Sequence, residues 1–160
     1  MILPFANAVP TRITCIDYNA EQAQFQEVGD VPAFLEAHRP TWSRVRWINV
    51  EGLADIDVVE AVADKYQLHP LALEDVLHTV ERPKVEDYQA SEGQPGRSFI
   101  VARAIELQDD ELASAQISIF LGRSTLLTFQ SLRGDPFAAI RRRVQTRGSQ
   151  LRENDVSFLL

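Results

Sequence analysis

The sequence has one cysteine, Cys15, among 160 residues. A lone thiol excludes an internal disulfide framework and any cysteine-rich zinc site, and it fits a reducing compartment. Histidine is nearly as scarce: His69 and His78 flank one short segment, and His38 stands far from both. No second histidine follows at i+3 or i+4, so a zinc site built by the chain alone has little support. Signatures of catalysis are missing too. There is no Gly-x-Ser-x-Gly elbow and no Gly-rich phosphate loop. Cys15 falls mid-strand, where burial is its expected role, and the chain is not expected to be an enzyme. No run approaches the roughly 20 apolar residues that span a bilayer. Met1-Ile2-Leu3-Pro4-Phe5-Ala6 carries no basic leader and breaks at Pro4, which does not read as a signal peptide. A soluble chain is expected.

Positive charge is short over most of the length. Residues 1–132 hold 10 Lys/Arg against 20 Asp/Glu, whereas residues 133–160 hold 6 Arg against 3 acids. An acidic body disfavours a phosphate backbone, so nucleic acid is not an expected partner; cations and basic partners suit it better. What the chain does have is 45% hydrophobic and 24% charged residues, the composition of an ordinary globular protein. One domain, residues 1–160, would bury about two-thirds of its unfolded surface.

Apolar periodicity predicts strands at 13–18, 24–28, 44–50, 84–89, 98–107, 115–121 and 125–130. In the third, Val45, Trp47 and Asn49 alternate against Arg46, Ile48 and Val50. The fifth is apolar on both faces near Phe99-Ile100-Val101-Ala102, which suggests an interior position. The last two form a hairpin in which Ile117, Ile119 and Leu121 oppose Gln116, Ser118 and Phe120. An acidic turn is expected at 108–111 and a loop at 91–96. Helices are predicted at 31–38, capped by Asp30 with Phe34 and Leu35 inward, and at 55–66, with Ile56, Val59, Ala63 and Tyr66 inward. A basic helix should follow Pro136, with Phe137, Ile140 and Val144 as its stripe and its arginines toward the negative end. Residues 154–160 read as the first turns of another helix, capped by Asn154. Strands mixed with helices argue for an α/β layered domain with a mixed sheet.

The densest stretch is His69-Pro70-Leu71-Ala72-Leu73-Glu74-Asp75-Val76-Leu77, followed by Glu81-Arg82-Pro83-Lys84-Val85-Glu86-Asp87-Tyr88. Pro70 presets a helix start, Leu73 and Leu77 lie four apart on its expected inner face, and Pro83 forces Arg82 out of the helix. Glu74 and Asp75 point about 100° apart on such a helix, so they cannot chelate one ion from the same direction. By themselves they read as solvated acids near a helix N-terminus, although carboxylates are also what a hydrated Mg²⁺ accepts. Glu74 and His78 have the spacing of a helix-surface pair. Arg82 and Lys84 bracket Pro83, and a structural ion pair with Glu86 or Asp87 is expected there.

These stretches resemble the N-terminal cytoplasmic domain of the CorA-type magnesium/cobalt transporters. The resemblance is carried by Trp47-Ile48-Asn49-Val50-Glu51-Gly52, by the two stretches just quoted, and by Ile117-Ser118-Ile119-Phe120-Leu121-Gly122 with Leu127-Thr128-Phe129-Gln130. It implies an α/β/α layered sandwich with a mixed parallel/antiparallel sheet. It also implies a divalent-cation transporter (Mg²⁺ or Co²⁺), homopentameric in the inner membrane, whose cytoplasmic domains bind regulatory cations between subunits. Asp75 is similar to the acidic residue of that sensing site, and Glu74 to its neighbour. Binding would be weak and regulatory, with Mg²⁺ the expected ion and Co²⁺ or Zn²⁺ open. The stalk, the two membrane helices and the Gly-Met-Asn motif of the family are absent from these 160 residues. The chain is therefore expected to be a soluble sensing piece, monomeric or weakly associating by itself, that meets the membrane only through helices it lacks. The alternatives are the cytoplasmic domain of a zinc-transporting member of the superfamily, or a free-standing α/β interaction module with no ion role.

Overall fold

The computed structural model describes residues 9–108, 110–131 and 134–160. The reading of residues 1–6 falls outside them, and so does part of the expected acidic turn at 108–111. Seven strands are present: β1 (Arg12–Tyr18), β2 (Ala23–Val28), β3 (Val45–Glu51), β4 (Lys84–Tyr88), β5 (Arg97–Gln108), β6 (Glu111–Leu121) and β7 (Thr125–Gln130). They form one sheet in the order β2-β1-β3-β7-β6-β5-β4. Only β3 and β7 run parallel, from Arg46 opposite Thr125 to Glu51 opposite Gln130; the remaining pairs are antiparallel. The sheet is mixed, as expected.

Helices cover both faces. On one side lie α1 (Val31–Glu36), α2 (Ile56–Lys65) and α3 (Pro70–Leu77); on the other lie α4 (Ala138–Gln145), α5 (Gln150–Glu153) and a 3₁₀ turn (Val156–Leu159). The alternation along β3 divides the core between them. Ile48 and Val50 pack with Val59, Val62, Ala72 and Val76, whereas Val45 and Trp47 pack with Val144, Leu151 and Leu159. Along β6, Phe120 joins the first cluster, and Ile117 and Ile119 join the second. The result is the α/β layered domain that the pattern of elements argues for, and with helices on both faces it is the α/β/α sandwich that the resemblance implies. Within the second layer, Trp47 donates its indole N–H to Thr128 Oγ1 at 2.9 Å and meets Phe137 edge-on at 5.3 Å. Gly52 closes β3 at φ +78°; a Cβ there would lie 2.5 Å from the Val9 carbonyl oxygen, so no other residue fits without moving the chain.

Several local expectations are corrected. The β5–β6 hairpin pairs without a break from Ser98 opposite Leu121 to Gln108 opposite Glu111, so β6 starts four residues before the expected strand. Its outer end leaves Ile105, Leu107 and Leu112 exposed. The segment around 91–96 contains a small bridge, Ser91 with Gln94. Helix α1 ends at Glu36, and Phe34 and Leu35 are half-buried against the core instead of inside it. In α2 the inward residues are Val59, Val62 and Ala63, with Tyr66 half-buried; Ile56 is exposed because it sits in the first turn, beyond the sheet's cover. Asn154 ends the unanticipated α5. The cap of the next turn is Asp155, whose side chain accepts the Ser157 N–H at 3.0 Å.

The Asp30 cap of α1 and the stripe of α4 agree with expectation, and α2, expected from residue 55, starts at Ile56 with Asp55 as its cap. Asp30 accepts from Ala33 N–H, and Asp55 from Val58 N–H. Val144 is fully buried, with Phe137 and Ile140 packed beside it. Part of the basic C-terminal charge serves the fold. The Arg152 guanidinium donates to the Asn19, Val144 and Ala20 carbonyls, and that of Arg141 lies 4.9 Å from the Trp47 ring centre.

Candidate functional site

Helix α3 lies over the β6–β5–β4 end of the sheet. Its start combines Pro70 at N1 with His69, whose Nδ1 accepts the Leu71 N–H at 3.2 Å. The buried face is formed by Ala72 and Val76, not by Leu73 and Leu77, which flank it half-buried. The small Ala72 allows close approach to the sheet, and the two leucines fill the sides. This rotation leaves Leu71, Glu74 and His78 exposed and puts Asp75 at the margin, facing β4.

Glu74 and Asp75 therefore lie in the second turn of α3, and the first turn contains no acid. The expectation that they favour a helix N-terminus is corrected: Pro70 begins the helix, so the pair comes too late to meet the unpaired N–H groups. Glu74 and His78 are joined through the main chain, His78 N–H donating to the Glu74 carbonyl at 2.9 Å.

Asp75 is not merely solvated. Lys84 Nζ donates to Asp75 Oδ2 at 2.6 Å and to Glu86 Oε1 at 3.0 Å. The expected Lys84–Glu86 pair is present; Asp87 points away from it and accepts from Ser98 Oγ at 2.6 Å. Alternation along β4 explains the split, because Lys84, Glu86 and Tyr88 share the α3 side while Val85 and Asp87 face outward. Tyr88 donates its hydroxyl to Glu86 Oε2 at 3.0 Å, and its ring stacks on His69 at 4.5 Å. Below the helix, the buried Gln116 donates to the Asp75 carbonyl at 2.9 Å and accepts from Glu81 N–H at 2.9 Å. Neither Gln116 nor the Lys84–Asp75 bond was anticipated from sequence. The available signal was a polar residue at an inward strand position.

The electrostatics follow from these contacts. The hydrogen bonds it donates to Asp75 and then Glu86 hold the Lys84 ammonium above its ordinary pKa. Those of Lys84 and then Tyr88 hold the Glu86 carboxyl below its own. Burial, and then the neighbouring Glu86, push the Tyr88 hydroxyl up. Together these groups line an open concavity of about 500 Å³ that contains Glu74, Asp75, Glu81 and Glu86 against Lys84 alone. Four carboxylates around one ammonium favour cations. Among the described residues no group of three or more His, Cys, Asp or Glu is placed to hold a metal ion. A hydrated Mg²⁺, which keeps most of its waters, is held by one or two carboxylates. No helix of the described residues is long and apolar enough to cross a membrane.

Comparison with known proteins bears on the same stretch. The "Cobalt/magnesium transport protein CorA" of Thermotoga maritima is 31% identical over 153 residues, which cover 92% of this chain and 40% of that protein. The chain thus spans less than half the length of this relative. Among solved structures, the soluble domain of CorA from Methanocaldococcus jannaschii aligns with a TM-score of 0.56 at 15% identity, over 86% of this chain and 48% of that one. The ZntB cytoplasmic domain from Vibrio parahaemolyticus aligns with a TM-score of 0.59 at 14% identity, over 87% and 51%. At those identities the structural likenesses speak for the fold. Residues 42–160, which include the whole α3–β4 site, match the family described as "CorA-like Mg2+ transporter protein", and the chain belongs to that family.

Proposed function

We propose that the chain is the cation-sensing cytoplasmic domain of a CorA-like divalent metal ion transporter at the inner membrane. Its parent would be a homopentamer, and Mg²⁺, or else Co²⁺, would be both cargo and regulator. The observation that carries this reading is the acidic concavity at α3, where Glu74 is exposed and Asp75 stands at the margin. Family membership supplies the context.

In this reading, Asp75 with Glu74 faces a neighbouring subunit. When the cation is absent, acids on the two sides repel one another; like charges about 4 Å apart do so by roughly 4 kcal/mol at an effective dielectric constant near 20. A hydrated divalent cation replaces that repulsion by a bridge, and its retained waters keep the affinity low enough for the ion to leave. The domain has no catalytic part in this scheme: it reports cation concentration to the pore through its packing against other subunits. The likeness to the ZntB cytoplasmic domain supports a second reading, in which the ion is zinc.

The test is uptake into liposomes by a full-length transporter carrying this domain. Asp75→Ala should raise the internal Mg²⁺ needed for half-inhibition by about tenfold, a change near 1.4 kcal/mol. Wild-type inhibition in that variant would overturn the role of Asp75. Competition between Mg²⁺, Co²⁺ and Zn²⁺ in the same vesicles separates the two ion readings. The 160-residue chain alone should sediment as a monomer or a weak oligomer, with or without millimolar Mg²⁺.

A further inference from the structure

Lys84 occupies the point on which two carboxylates converge. Its Nζ lies 2.6 Å from Asp75 Oδ2 and 3.0 Å from Glu86 Oε1, so one ammonium neutralises acids from two different elements. Each acid also has an anchor independent of the lysine. Glu86 accepts from Tyr88 through its other oxygen, and Tyr88 is braced by its stack on His69. The backbone of Asp75 is tied to Gln116, beside the buried Ala72 and Val76. The helix therefore does not depend on Lys84 to stay on the sheet. The lysine has a way out to water: its side chain is 28% exposed, and an ammonium on a flexible four-carbon stem can turn outward without moving the backbone.

We infer that Lys84 is a tethered counter-cation that competes with a divalent ion for Asp75 and so sets the concentration at which that ion occupies it. The inference rests on the reading of Asp75 as a cation-binding carboxylate. With the ion absent, the ammonium holds Asp75 and Glu86 together and suppresses their mutual repulsion. As the ion concentration rises, the doubly charged cation with its water shell displaces the singly charged ammonium, which turns out to solvent. Asp75 then exchanges one cation for another instead of passing from bare to occupied. Such a competitor lowers affinity, which keeps a sensor responsive at high ion concentrations.

The experiment uses the 160-residue chain and the metal alone. Mn²⁺ binding is followed by paramagnetic broadening of the amide resonances of residues 71–88, and Mg²⁺ binding by calorimetry. Lys84→Met keeps the apolar stem and removes the charge, and should bind both ions about tenfold more tightly than wild type. Lys84→Gln serves as a second neutral variant should the first melt early. Lys84→Arg, which keeps the charge, should stay near wild type, an outcome that a purely structural role for the side chain does not predict. Adding Asp75→Asn to Lys84→Met should abolish the gain. Equal affinity in wild type and both neutral variants overturns the inference, as does a gain that survives Asp75→Asn. Failure of the regulatory reading looks different: Asp75-dependent tightening in the isolated domain would persist while the Asp75→Ala transporter kept its normal inhibition.

Discussion

Asp17 and Arg46 meet inside the sheet with side chains 4% and 7% exposed, whereas Asp75 and Lys84 meet at its β4 end at 21% and 28%. The inner pair is bidentate. Arg46 Nε donates to Asp17 Oδ1 at 2.9 Å and Nη2 to Oδ2 at 2.7 Å, across the antiparallel β1–β3 register that sets the two residues opposite each other. Ser43 Oγ adds a bond at 2.8 Å, the Cys15 thiol lies 3.7 Å from Oδ2, and the guanidinium rests 5.3 Å from the Phe34 ring centre. The outer pair is a single ammonium shared between two acids. Enclosure makes the first pair part of the fold, because neither charge has water to turn to. Access to water leaves the second exchangeable, which is what a site that answers to ions requires.

The largest expected effect comes from breaking the inner pair. Arg46→Ala leaves the Asp17 carboxylate buried without its counter-charge, keeping the hydrogen bonds from Ser43 and Cys15, and should cost about 3–5 kcal/mol in denaturant unfolding. A loss below about 1 kcal/mol, the usual size for an exposed pair, would erase the contrast. The same enclosure predicts an alkaline limb. Burial, followed by the charge of Asp17, pushes the Cys15 thiol up to about 12. An unfolded thiol releases its proton near pH 8.5, so at higher pH the unfolded chain sheds a proton that the folded chain keeps. Stability should then fall as pH rises toward 12, by up to about 1.4 kcal/mol per unit. Tyr18, likewise pushed up to about 12 by burial, adds to the fall from about pH 10. Thermal melts should show Cys15→Ala flattening the curve most between about pH 9 and 10, below the ordinary range of the raised tyrosines. An unchanged slope would remove Cys15 from the account.

The contrast between the pairs also explains what could be read from the sequence. Alternation along β3 assigns Val45 and Trp47 to one layer and Ile48 and Val50 to the other, and the structure agrees, because period 2 is a property of the strand itself. The same logic puts Lys84, Glu86 and Tyr88 on one side of β4. It does not reveal that Asp75 lies above them, since that depends on how α3 is rotated. Two leucines four apart make Leu73 and Leu77 look like the inner face. The sheet instead takes Ala72 and Val76, likewise four apart, whose smaller side chains permit the close approach. The sequence puts the carboxylates on the right helix but nearer its start than the fold does, and it puts their ammonium on the right strand while showing only one of its two partners, Glu86.

The smallest effect belongs to the outer cluster, and at Glu86 its sign in pH is opposite to that at Cys15. Glu86 is held below its ordinary pKa by Lys84 and then by Tyr88, so its contribution is present above about pH 4.3 and lost as pH falls through the lower, folded value. Glu86 thus gives the outer cluster an acid limb, while Lys84 and Tyr88, both held above their ordinary pKa, weaken toward alkali as Cys15 and Tyr18 do. The Glu86 side chain is 41% exposed, so water screens much of this, and a few tenths of a kcal/mol is the scale to expect. Lys84→Met should cost about 1 kcal/mol or less, because Met retains the stem that crosses toward Phe99 while the Gln116 and Ala72–Val76 contacts hold α3. Glu86→Gln should remove the acid-limb contribution and leave neutral-pH stability nearly unchanged. If Lys84→Met instead cost as much as Arg46→Ala in the same denaturant series, Lys84 would be a structural tie, and an ion could not displace it without loosening the helix that bears Asp75.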